Sequence, residues 1–238
     1  MLHELLIGIK RGVFRANDPG AARADAEFAA KRDWAKESGR YRCIHCGWIS
    51  KAYCQVHHLD DNHHNNAPEN FGVVDQECHA YHHVGEPSKT AGRADKNTPD
   101  VAVSTSLAAI PEMSPQDVNL LMRAIGAIYA SGNKEEIEIA HQIHTRLAAR
   151  RRPVQASYGT SSPGDFALAM SKLNPADYAA RGDAVRDLRI VFSAAYLRDL
   201  GVRAGADYPI MKSTREWSSV FQSVEAKRAV RVNETAEQ

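Results

Sequence analysis

The spacing of apolar positions changes along this chain, and it predicts the elements. "LLIGIKRGVF" (5–14) reads as a strand. "DPGAARADAEFAAKRDWAKESG" (18–39) is Ala-rich, with Phe28 and Trp34 as apolar anchors, and predicts a helix ending near Gly39. "YCQVHHLDD" is apolar and β-branched enough for a strand. "GEPSKTAGRADKNTPD" (85–100), rich in Gly, Pro, Ser and charge, reads as a linker.

Beyond it the pattern becomes helical. Ser114 stands as an N-cap, Pro115 at the first helical position and Asp117 three after the cap. Val118, Leu121, Ile125 and Ile128 follow at helical spacing. A second helix starts at Asn133, with Glu136 completing its cap, and ends in "RLAARRR". Arg146, Arg150, Arg151 and Arg152 suit a helix C-terminus, where cations meet the negative end of the dipole. "PGDFALAMSKL" and "GDAVRDLRIVFSAAYLRDLG" read as two more helices. The expected class is α+β. A strand/helix segment and a metal module occupy residues 1–90, a mostly helical region 101–223, and a frayed tail 224–238.

Composition narrows the function classes. The chain has 238 residues, 43% of them apolar, so a core can form. A formal net charge of +1 is lower than expected for a protein that lives on DNA phosphates, though a local basic groove such as "RLAARRR" remains open. No signal-peptide pattern and no apolar run long enough to span a bilayer is visible, so no membrane insertion is expected. The four cysteines are Cys43, Cys46, Cys54 and Cys78, the first two spaced C-x-x-C. That spacing in a His-rich region points to zinc thiolates and a reducing, cytoplasmic setting.

The candidate chemistry follows from these residues. "CIHC" (43–46) offers two thiolates, and "DQEC" (75–78) a second half-site in which a carboxylate replaces one thiolate. Cys43, Cys46, Asp75 and Cys78 are therefore the expected zinc ligands, with Cys54 as the alternative fourth. Seven of the eleven histidines fall between His57 and His83. In a strand, His57 and His58 face opposite ways. If "HAYHH" is helical, His79 and His83 share one face. His57, His79 and His83 could then form a second metal site. His58 would stand beside it as a general base against a phosphodiester, its imidazole oriented by the Asn70 amide carbonyl. His63 and His64 read as solvated loop residues, and His45 and His82 as supporting or exposed rather than ligating.

His58, Asn70 and His83, framed by "CIHC" and "DQEC", resemble the HNH (ββα-metal, His-Me finger) nucleases. That resemblance implies metal ligands His57, His79 and His83 holding one divalent ion such as Mg, Mn or Ni. It also implies base His58, orienter Asn70 and cleavage of DNA. HNH folds are also kept for their zinc-stapled shape after catalysis is lost. A longer resemblance covers about residues 5–200: "LIGIKRGVF", "YRCIHCGW", "HHLDDNHHNN", "PENF", "CHAYHHVG" and "IPEMSPQDVNLLMRAIGAI" together are similar to the IcmJ (DotN) family. This implies a cytoplasmic, zinc-containing, HNH-like adaptor on the coupling-protein ATPase of a type IVB secretion or conjugation system. Members in effector-secreting systems look degenerate at the catalytic His positions. This chain departs from them twice: it retains His57-His58, Asn70 and His79…His83, and it carries Asp75 where the second knuckle would have a cysteine.

Overall fold

The computed structural model describes residues 3–9, 19–84 and 105–208. The linker at 85–100, residues 10–14 of the first expected strand, and everything after 208, including the expected tail, lie outside the described residues.

The described part of the first segment, residues 3–9, alternates buried and exposed from Leu5 to Ile7 and joins no ladder among the described residues. Leu5, Ile7 and Ile9 are buried while Leu6 is exposed. Gly8 N–H donates to the Tyr81 carbonyl (2.7 Å), and the Gly8 carbonyl accepts from Val84 N–H (3.1 Å). An extended backbone here pairs with the end of a helix, not with a strand. Helix α1 spans Ala21–Ser38, close to expectation. Of its two expected anchors, Phe28 packs on Phe71 and His58, but Trp34 is half exposed.

Next comes a tight turn. Cys43 N–H reaches the Trp48 carbonyl (2.8 Å), and Gly47 N–H the Cys43 carbonyl (3.0 Å). Gly47 sits at φ 75°, a conformation that glycine adopts without Cβ strain, and this closes the Cys43–Cys46 loop. Strand β1 (Gln55–His58) then runs antiparallel to β2 (Phe71–Val74), with His57 opposite Gly72 and His58 opposite Phe71. Helix α2 (Gln76–His82) follows at once, capped by Asp75, whose side chain accepts from Cys78 N–H.

The second half opens with β3 (Thr105–Ala109). Helix α3 (Pro115–Ser131) is capped by Ser114 as the sequence predicts, and α4 (Lys134–Ala149) by an Asn133/Glu136 capping box. The expected long basic C-terminus is divided: Arg150 ends α4 and α5 runs Arg151–Tyr158. Three short helices follow, α6 (Pro163–Ser171), α7 (Pro175–Ala179) and α8 (Gly182–Val185). The stretch read as one last helix splits. "LRIVF" forms strand β4 (Leu188–Phe192), antiparallel to β3, and α9 spans Ala194–Asp207. The override has a plain cause: β4 is buried at every position, so it shows no half-buried alternation and reads like a buried helix turn.

One cluster of buried apolar residues joins the two halves, including Leu5, Cys43, Cys78 and Tyr81 from one side and Val118, Ile125, Ile190 and Leu197 from the other. Tyr81 Oη is also the partner of Ile190 N–H on β4 (2.9 Å). Helices α3 and α9 cross where Gly126 faces Gly201. A Cβ on Gly201 would meet the Gly126 carbonyl oxygen, and one on Gly126 the Leu197 carbonyl oxygen. Gly201→Ala is expected to cost about 2–3 kcal/mol by overpacking, seen in thermal unfolding as a Tm lower by roughly 5–10 °C. Gly182→Ala, where an added Cβ meets nothing within 4 Å, should leave the Tm unchanged.

Candidate metal centre

Three elements bring the four residues of the first site together. The Gly47 turn supplies Cys43 and Cys46, the end of β2 supplies Asp75, and the first turn of α2 supplies Cys78. Their ligand atoms all lie within 4.8 Å of one another, and all four residues are buried. Asp75 Oδ1 accepts from Cys78 N–H (2.7 Å), while Oδ2 accepts from the Cys46 thiol (2.6 Å). Cys54, the alternative ligand, is a separate buried thiol whose pKa is pushed up by burial.

This donor set fits a zinc ion. Three sulfurs and one carboxylate oxygen in a closed, buried cluster are structural-site chemistry, with no position left for substrate. The four acid groups share their protons unevenly, and the hydrogen bonds to Cys43 and Cys46 push the Cys78 thiol well up. Hydrogen bonds from Cys46 and Cys78 pull the Cys43 thiol down to about 4. Burial pushes Asp75 up to about 6, against the pull of Arg123.

A buried ionic network that the sequence reading missed surrounds the cluster. From α3, the Arg123 guanidinium meets Asp75 Oδ1 (2.8 Å) and Glu77 Oε2 (2.5 Å), points Nη1 at Cys46 Sγ (3.6 Å) and stacks over Trp48. Asn119, one turn earlier on the same face, donates to Cys78 Sγ (3.4 Å). Burial opposes the charge on Glu77. Arg123, Arg203 and a hydrogen bond from Tyr196 Oη (2.7 Å) outweigh it and hold the carboxyl below its usual range. One signal was available: Asn119 and Arg123 interrupt the apolar face of an otherwise hydrophobic helix.

The second cluster is also assembled. His57, His79 and His83 place ring nitrogens within 4.8 Å of one another, with the His79 and His83 Nε2 atoms 3.1 Å apart. Gln55 Oε1 lies 2.6 Å from His79 Nδ1, an outer partner that orients the ring. His82 stacks on His57 (4.1 Å between centroids), and its Nε2 is 2.9 Å from His45 Nε2. His45, expected to be supporting or exposed, is buried and also reaches the His3 carbonyl (3.1 Å).

His58 stands apart from these rings, on the opposite side of β1. It is 4% exposed and packed against Phe28, Phe71 and His63. Its orienting partner is Asn66, not Asn70: Nε2–H donates to Asn66 Oδ1 (2.9 Å), and the Asn66 amide is fixed by donating to the Ala24 carbonyl. Asn70 is committed elsewhere. Its amide donates to Asp60 Oδ1 and the Asn65 carbonyl, and its Oδ1 accepts from Asp60 N–H, so it braces the 59–66 loop. The expected pairing failed because loop closure turned a nearer asparagine of "NHHNN" toward the imidazole. His64 is exposed and His63 half-buried against His58. No protein-family model and no curated protein matches the chain.

Burial lowers the pKa of His45, and burial together with the neighbouring His45 lowers His82 to about 4. Between about 6.5 and 4 the unfolded chain therefore takes up a proton that the native His82 refuses, so stability falls as the pH drops through this window. The loss from His82 should be on the order of 3 kcal/mol. Urea unfolding of wild type and His82→Phe at pH 7 and pH 4.5 tests it: the variant should show the flatter pH dependence.

Proposed function

We propose that this protein is a zinc-stapled, HNH-like adaptor, working in the cytoplasm as a binding subunit on the coupling-protein ATPase of a type IV secretion or conjugation system. One observation supports the adaptor reading above the others: the four-donor cluster is closed, buried and fused to the core of both halves. A metal so placed supplies folding free energy and shape. Cys43, Cys46, Asp75 and Cys78 would hold the zinc. The ATPase partner itself is carried by the likeness to the IcmJ (DotN) family in "CIHC", "HHLDDNHHNN", "CHAYHH" and the "PEMSPQDVN" helix start.

A second reading is supported by the convergence of His57, His79 and His83: a metal-dependent HNH endonuclease with His58 as base. Against it stands the burial of His58 between two phenylalanines, with one ring nitrogen already held by Asn66. A base that takes a proton from water beside a polynucleotide needs a path to that water.

The two readings separate in one set of measurements. The purified protein should carry one zinc per chain, and Cys78→Ser should lose it together with more than about 4 kcal/mol of stability. Affinity capture should retain a coupling ATPase. Supercoiled plasmid incubated with Mg, Mn or Ni should stay intact. Nicking that disappears in His58→Ala would instead establish the nuclease.

A further inference from the structure

The two oxygens of Asp75 have different neighbours. Oδ1 is taken by two donors, Cys78 N–H and the Arg123 guanidinium (2.7 and 2.8 Å). Oδ2 faces the sulfurs, 2.6 Å from Cys46 Sγ. The guanidinium holding Oδ1 also directs Nη1 at that same sulfur (3.6 Å). Arg123 is 1% exposed, so water cannot replace it.

Charge makes this arrangement necessary. Three thiolates and a carboxylate around a dication leave two negative charges in a site shut off from solvent. Charge buried without a partner is strongly disfavoured, and thiolates are quieted by N–H donors. Arg123 supplies the cation, and Asn119 an N–H donor to Cys78 Sγ (3.4 Å). A cysteine at position 75 would offer one sulfur and no second acceptor, so the guanidinium would lose its oxygen partner at the metal site and keep only Glu77.

We propose that Asp75 binds the zinc through Oδ2 alone, and that Arg123 is the positioning residue that fixes this by occupying Oδ1 and setting a cation against the negative centre. Asp75 and Arg123 are then a matched pair: the carboxylate in place of a fourth thiolate works because the arginine lies behind it. This rests on the zinc reading above and adds the role of a residue on α3 to it.

The test uses the full-length protein in its zinc and cobalt(II) forms. Zinc affinity is measured by competition with a chromophoric chelator, and the ligand set by the thiolate-to-cobalt absorption. Arg123→Met should weaken zinc binding about 10–100-fold, the usual effect of removing an outer partner. Arg123→Lys, which keeps the cation, should recover much of that loss. Because Arg123→Met takes the nearer of two cations from buried Glu77, Glu77→Gln/Arg123→Met is the control for loss of fold. Asp75→Cys should raise the thiolate absorption by about a third, as three sulfurs become four. In that background Arg123→Met should cost less than about 3-fold, since the pair is already broken. An equal loss in both backgrounds overturns the proposal, and so does unchanged affinity in Glu77→Gln/Arg123→Met. Wild type that binds neither zinc nor cobalt would instead refute the zinc reading itself, and the pairing with it.

Discussion

The buried guanidinium of Arg123 is the contact on which the two halves of this protein depend. It reaches from the middle of α3 to two carboxylates on the edge of α2, stacks on Trp48 and points at Cys46. Removing one partner of such a buried pair costs about 3–5 kcal/mol, because the other charge is left without solvent or partner. Asp75 therefore does three things at once: it caps α2, anchors Arg123 and faces the cysteines. Few substitutions satisfy all three demands.

From this contact the rest of the fold follows. Arg123 requires α3 to lie against the Cys cluster. The Gly126–Gly201 crossing then brings α9 close enough for Tyr196 and Arg203 to reach Glu77 from the other side. Tyr81 extends the same link to β4 through Ile190 N–H. The change of character along the sequence near residue 100 is a change in local pattern. It does not mark a break in the core, which runs through both halves.

The two candidate donor clusters were legible because spacing points to them: C-x-x-C, a half-site thirty residues on, and imidazoles at i, i+4. Helix caps at Ser114 and Asn133 were legible for the same reason, since capping is chemistry between residues three apart. The misses all depend on tertiary closure. "LRIVF" became a strand because β3, some eighty residues earlier, offered an edge. Asn66 rather than Asn70 reached His58 because the 59–66 loop folds back on Asp60, and α1 then clamps the Asn66 amide through the Ala24 carbonyl. Arg123 was visible as a charge at an apolar helix position, but its partners lie more than forty residues away.

The two histidine environments show how one strand can separate functions that a sequence motif joins. His57 and His58 are neighbours in sequence, yet the pleat sends one into a cluster of imidazoles and the other between Phe28 and Phe71. The first setting keeps nitrogen lone pairs close together, which suits a metal ion. The second surrounds an imidazole with apolar rings and spends a ring N–H on Asn66, which suits packing. A reaction centre needs both groups to face the same substrate. The adaptor reading needs only that each side be well filled, and the contacts of His58 meet that requirement without any chemistry.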